Sequence, residues 1–139
     1  AADALKWFRT INAVFERHGI ARAAWSYKQM DFGLGDPYWD ALRDELGRGP
    51  LLYRYSGAEK EEGTFVACAF WMVSALAHVG RREEAVELMD QLVPLANDVG
   101  LYTEMIAEED FAFLGNFPQG LSHLALVTAA LTVNDSSTG

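Results

Sequence analysis

The residues of this sequence best suited to chemistry are carboxylates in two places. Glu61 and Glu62 stand together in Glu61-Glu62-Gly63-Thr64, just ahead of a long apolar run. Glu104 stands in Tyr102-Thr103-Glu104-Met105-Ile106, between aromatic and aliphatic neighbours. A carboxylate in apolar surroundings can have its proton affinity tuned and serve as a general acid or base. Plainer roles compete. A carboxylate at a helix N-terminus is favoured by the dipole, so Glu61 and Glu62 also read as capping residues. Most loop glutamates are solvated, which is the plainer role for Glu104. Gly115-Asn116-Phe117-Pro118-Gln119 is a tight turn with two amides and an aromatic ring. Such side chains suit sugar hydroxyls and ring faces, and equally an ordinary turn. His123, on an apolar stretch, reads as a hydrogen-bonded core residue. No His/Cys/Asp cluster has metal-ligand spacing, and no phosphate loop, nucleophile elbow or dinucleotide fingerprint occurs. The expectation is no metal and no cofactor.

These groups must be positioned by mainly helical elements. Residues 3–18 place Leu5, Phe8, Ile11 or Asn12, and Phe15 at helical spacing, between Asp3 as N-cap and Gly19 as stop. Residues 20–28 end in β-favouring aromatics and read as a buried strand, followed by a loop over 29–36. Pro37 opens a second helix over 37–46. After Pro50 come a short apolar stretch over 51–55 and a polar loop over 56–63. From Thr64 the chain is apolar on nearly all sides up to Gly80, so this helix must be buried all round. Arg82-Glu83-Glu84 starts the next helix, with a stripe of Val86, Met89, Leu92 or Val93, and Ala96. Pro94 is expected to kink it or cap its last turn, and Gly100 to stop it. Residues 101–120 read as a long functional loop, with room for a short hairpin. The last helix, 121–133, is again apolar, and a polar tail ends the chain. Two nearly all-apolar helices among three cannot cover each other, so this half is expected to pack inside a larger helical array.

Composition bounds the rest. The chain has 139 residues, enough for one ordinary domain and too few for two. Half the residues are hydrophobic and 22% are charged, which argues against disorder. No apolar run is long enough for a membrane span, and no secretory signal is visible. Cys68 is the single cysteine, so no internal disulfide can form, and a reducing cytoplasmic location fits. The net charge of −9 argues against a nucleic-acid partner. All of that excess lies after Pro50, because residues 1–50 are balanced. The charge step and Gly47-Arg48-Gly49-Pro50 suggest a boundary there.

Four motifs point further. EEGTF-x-AC-x-FW runs from Glu61 to Trp71, GRREEA from Gly80 to Ala85, LANDVGL from Leu95 to Leu101, and LGNFPQ-x-x-SHLAL from Leu114 to Leu126. In order and spacing they resemble the C-terminal end of family 15 glycoside hydrolases, which include glucoamylases, glucodextranases and bacterial-type trehalases. The resemblance covers residues 50–132. It implies partial (α/α)₆-barrel helices (helical hairpin, long loop, final helix) and inverting hydrolysis of an α-linked glucose oligosaccharide or disaccharide. It also implies that Glu104 is the catalytic base. Glu61 and Glu62 would line the substrate pocket, Trp71 would pack inside the barrel, and His123 would be structural. Met105 and Ala107 stand where the family carries acidic groups, which leaves the local hydrogen bonding of Glu104 open. The family's general acid sits in an upstream tryptophan-glutamate motif that residues 1–50 do not match. The chain alone is therefore expected to be nearly inactive, and the rest of a barrel becomes an expected partner.

Residues 1–48 resemble something else, the end of a (β/α)₈ glycoside hydrolase of the family 5 kind. That implies a short helix-strand-helix leader, with Trp25 stacking under a sugar ring. A buried aromatic is the plainer role for Trp25. The alternative to an enzyme is a protein-binding module, since residues 73–92 are similar to one tetratricopeptide-like hairpin. No second copy occurs, and such arrays need about three repeats.

Overall fold

A computed structural model describes residues 36–60 and 62–136 of the chain. Glu61, Trp25, and the helix and strand expected over 3–18 and 20–28 lie outside the described residues. The described part is mainly α-helical. Its four helices are α1 (Asp36–Leu46), α2 (Val66–His78), α3 (Arg82–Leu92) and α4 (Gly120–Asp135). Five two-residue strands join them: β1 (Gly47–Arg48), β2 (Leu51–Leu52), β3 (Thr64–Phe65), β4 (Met105–Ile106) and β5 (Phe113–Leu114). No described helix is long and apolar enough to cross a membrane.

α2 is the central helix. Ten of its thirteen residues are buried, as its all-round apolar sequence requires. α3 and α4 pack against it, and Phe70, Val73 and Leu76 become fully enclosed. Arg82 Nε, at the start of α3, donates to the Val133 carbonyl near the end of α4 at 3.3 Å. The Tyr102 hydroxyl donates to the Val93 carbonyl beyond the end of α3 at 2.8 Å, and the Tyr102 carbonyl accepts from the Gln119 N–H at the start of α4 at 2.9 Å. α3 therefore runs antiparallel to both α2 and α4, and those two begin at the same end of the bundle.

Two expectations change here. The stripe of α3 is Ala85, Leu88 and Leu92, while Val86 and Met89 are half-buried and Val93 is 47% exposed. Pro94 lies in a 3₁₀ turn over Val93–Leu95, which tightens the end of the helix and swings Val93 outward. The second apolar helix is left partly uncovered, as expected of two such helices among three. Ala125 and Ala129 of α4 meet α2, but Leu121, Leu124, Val127 and Leu131 face outward in a row. α4 also continues past Val133 to Asp135, where Ser136 closes the last turn.

The second change concerns the start of α2. Thr64 and Phe65 form β3 rather than the first helical turn, pairing antiparallel with Ile106 and Met105. β4 pairs in turn with β5, so residues 101–120 hold a hairpin and the sheet order is β3-β4-β5. Gly63 permits the close approach, because a Cβ there would lie 2.8 Å from the Ile106 carbonyl oxygen. The Thr64 hydroxyl donates to that same carbonyl at 2.7 Å. A two-residue strand carries too little alternation to be read from sequence.

At the other end of the described chain, α1 runs into a tight antiparallel pair of β1 and β2 that turns at Gly49-Pro50, with Gly49 at φ +59. Leu46 joins the same buried cluster as Leu51, Leu52 and Phe70. Arg81 fixes α1 to α3 by pairing with Asp40 at 2.8 Å and with Glu84 through two bonds of 2.6 and 2.7 Å.

Candidate active site

Glu62 and Glu104 flank the paired strands β3 and β4, at the end of the bundle where α2 begins. Glu104 is held there by its backbone and by its side chain. Its carbonyl accepts from the Val66 N–H, the first of α2, at 3.1 Å. Its own N–H donates to the Asn116 carbonyl at 2.9 Å. The side-chain Oε2 accepts two further bonds from Asn116, at 3.0 Å from the main-chain N–H and 2.8 Å from Nδ2. The partners that Met105 and Ala107 cannot offer thus come from the turn between β5 and α4.

That turn is held in place by buried hydroxyls. The Thr103 hydroxyl donates to the Leu114 carbonyl at 2.7 Å, and the Ser122 hydroxyl to the Thr103 carbonyl at 2.8 Å. Gln119 caps α4 with its side-chain oxygen, which accepts from the Leu121 N–H, and its own N–H donates to the Tyr102 carbonyl. His123 has the structural position expected of it. Its Nδ1 lies 2.7 Å from the Gln119 carbonyl and its Nε2 accepts from the Tyr102 N–H at 3.3 Å. A neutral ring protonated at Nδ1 satisfies both contacts. Tyr102 is wedged edge-on between Phe70 and His123, and its burial pushes the phenol pKa up.

Glu62 does not cap α2, because β3 intervenes. It forms a two-point pair with Arg54 instead, Nε to Oε1 at 2.7 Å and the second bond from Nη2 to Oε2. The Glu62 side chain is 12% exposed and the Arg54 side chain 38%. The guanidinium also lies over the Phe65 ring, 4.9 Å from its centroid. Its pKa is raised, chiefly by the Glu62 hydrogen bonds, and the Glu104 charge acts on it in the same sense. Cys68, on the first turn of α2, lies close enough to feel both Arg54 and Glu62, and burial pushes its thiol pKa up to about 12.

Beside Glu104 the hairpin presents exposed aromatic surface. Phe113 and Phe117 face each other with centroids 5.4 Å apart, on either side of Asn116, and Phe111 stands out at φ +58. Trp71, expected inside a barrel, is half-buried against the core of the described bundle. Glu61 and Trp25 lie outside the described residues. Among the described residues no group of three or more His, Cys, Asp or Glu side chains is placed to hold a metal. Sequence reasoning missed Arg54, and it named Asn116 without linking it to Glu104. An arginine eight residues ahead of a paired glutamate was the available signal for the first.

No protein-family model matches this chain, and no solved structure does. Curated relatives do match. The chain is 41% identical over 99 residues to a trehalase of Mycolicibacterium smegmatis, covering 67% of this chain and 15% of that protein. It is 40% identical over 85 residues to a trehalase of Thermoplasma volcanium, covering 59% of this chain and 14% of that protein. It is 30% identical over 99 residues to trehalase 1 of Sulfolobus acidocaldarius, covering 70% of this chain and 18% of that protein. The chain contains a segment like part of a glycoside hydrolase, and it spans about 15% of the length of the first of these relatives.

Proposed function

We propose that the described segment is the part of an inverting α-glucosidase of family 15 type that carries the catalytic base, and that Glu104 is that base. The observation that carries this reading is the state of the Glu104 carboxylate. One oxygen is fixed by two donors from Asn116, and among the described residues no donor reaches the other. A general base needs a carboxylate held still with one oxygen free for water. Inverting glycosidases activate water with such a carboxylate on the face opposite the leaving group. The relatives are trehalases, which supports trehalose as the substrate among α-linked glucosides.

Glu62 would contribute a fixed rim to the sugar pocket, since Arg54 occupies both of its oxygens. Glu61 and Trp25 keep the substrate-binding roles expected of them. The general acid would have to come from elsewhere in a complete barrel.

Chemistry separates the two halves of this machinery. An O-glycoside needs a proton on its leaving oxygen, whereas fluoride leaves α-D-glucosyl fluoride without one. The chain is expected to release fluoride and β-glucose from α-D-glucosyl fluoride, and to act on trehalose far more slowly. Glu104→Gln is expected to abolish fluoride release. An α-configured product, or full activity in Glu104→Gln, would overturn the reading.

A further inference from the structure

We propose that Asn116 is the positioning residue of Glu104 and that it selects Oε1 as the oxygen that receives the proton of water; this rests on Glu104 being the base. The argument is geometric. Both donors of Asn116, the main-chain N–H at 3.0 Å and the Nδ2 amide at 2.8 Å, converge on Oε2. Two donors on one oxygen fix the carboxylate against rotation and hold its charge in place. The carbonyl of the same residue accepts from the Glu104 N–H at 2.9 Å, so Asn116 grips the glutamate at both ends. This grip depends on Gly115. Its φ of +73 turns the chain so that the next N–H faces the carboxylate, and a Cβ at this position would lie 2.7 Å from Oε2. Arg54 directs two of its donors to Glu62, and among the described residues it makes no hydrogen bond to Glu104.

The assigned step balances. A water oxygen bonds to the anomeric carbon as the carbon–fluorine bond of glucosyl fluoride breaks. Fluoride leaves with the bonding pair, and one water proton passes to Oε1. Oε2 stays bonded to Asn116 throughout and takes no proton. In this assignment Asn116 acts through Glu104, the group to which both of its donors are directed.

Two measurements on the chain test this. The first is fluoride release from α-D-glucosyl fluoride by the wild type, Asn116→Ala, Asn116→Asp and Glu104→Gln, each shown by its melt to be folded. Losing one bond to a charged group is expected to lower kcat about tenfold in Asn116→Ala. KM should stay within about twofold, because a group that acts only through Glu104 contributes no uniform binding. Asn116→Asp, of the same shape, is expected to lose more, since a second carboxylate faces Oε2. Wild-type kcat in both Asn116 variants, with Glu104→Gln inactive, overturns the role of Asn116 and leaves the base assignment standing. Full activity in Glu104→Gln, or none in the wild type, removes the base assignment. The second measurement needs no activity. In an acid titration followed by NMR, the Asn116 side-chain amide signals are expected to move together with the Glu104 carboxyl carbon, and to stay still in Glu104→Gln. Amide signals that ignore the titration overturn the inference whatever the hydrolysis shows.

Discussion

Gly115 lies against the Glu104 carboxylate: a Cβ on Gly115 would stand 2.7 Å from Oε2 and 3.1 Å from the Glu104 Cβ. The turn and the acidic side chain have been fitted to each other at a contact that admits only hydrogen. Gly115 also adopts φ +73, where side chains are strained.

Gly115→Ala is therefore expected to act on both stability and site. The strain and the contact together should cost about 1–3 kcal/mol. Urea unfolding followed by circular dichroism reads that as a lower midpoint at unchanged slope. The Glu104 side chain must also move, so fluoride release should fall even where the variant is fully folded. An Ala variant as stable and as active as the wild type would show that the contact is not maintained in solution.

The Arg54–Glu62 pair is expected to contribute modestly. Its geometry is two-pronged and Glu62 is 12% exposed, yet Arg54 is 38% exposed and screened by water. Arg54→Met leaves a mostly buried carboxylate without its partner, which after that discount should cost about 1–2 kcal/mol. Arg54→Lys should recover only part, because an ammonium cannot match both oxygens and stacks less well on Phe65. The check is a pair of urea titrations alongside Glu62→Gln in a double-mutant cycle.

Acid should weaken the junction between α1 and α3. The Glu84 pKa is lowered, chiefly by its hydrogen bonds from Arg81, below its ordinary value of 4.5. A carboxylate depressed in the folded state stabilises above its unfolded pKa, and that contribution disappears as pH falls through the folded value. Melting temperature is thus expected to drop more steeply below pH 4.5 in the wild type than in Glu84→Gln. Parallel curves for the two proteins would show that the pair contributes nothing to folding.

The sequence made some of this legible and hid the rest for physical reasons. α2 was visible because a helix apolar on every side has one solution, the centre of the bundle. α4 has much the same composition, but small Ala125 and Ala129 bring it onto α2 while Leu124 and Val127 stay outside. Composition does not tell which face of an all-apolar helix turns inward. The stripe of α3 was displaced by one position because Val86 and Met89 fit a 3.6-residue period as well as Ala85 and Leu88 do. Glu104 stood out by its apolar neighbours. Its hold by Asn116 did not, since that contact spans twelve residues and depends on a β hairpin of two-residue strands. Glu62 read as a cap because nothing in Glu61-Glu62-Gly63-Thr64 signals that Thr64 will pair with Ile106 before the helix begins.

The outward row on α4 has a consequence in solution. Leu124, Val127 and Leu131 are 67%, 55% and 56% exposed, and Leu121 extends the row to the first turn of α4. Contiguous apolar surface of this kind drives association in water. The chain is expected to self-associate as its concentration rises, with sedimentation velocity showing growing weight-average size. Leu124→Lys with Leu131→Glu should suppress that growth, because the charges interrupt the stripe. Neither side chain belongs to the buried cluster, so stability in urea should change by less than about 0.5 kcal/mol. If the double variant associates as strongly as the wild type, the attraction lies elsewhere, and the aromatic hairpin around Phe111, Phe113 and Phe117 becomes the surface to charge next.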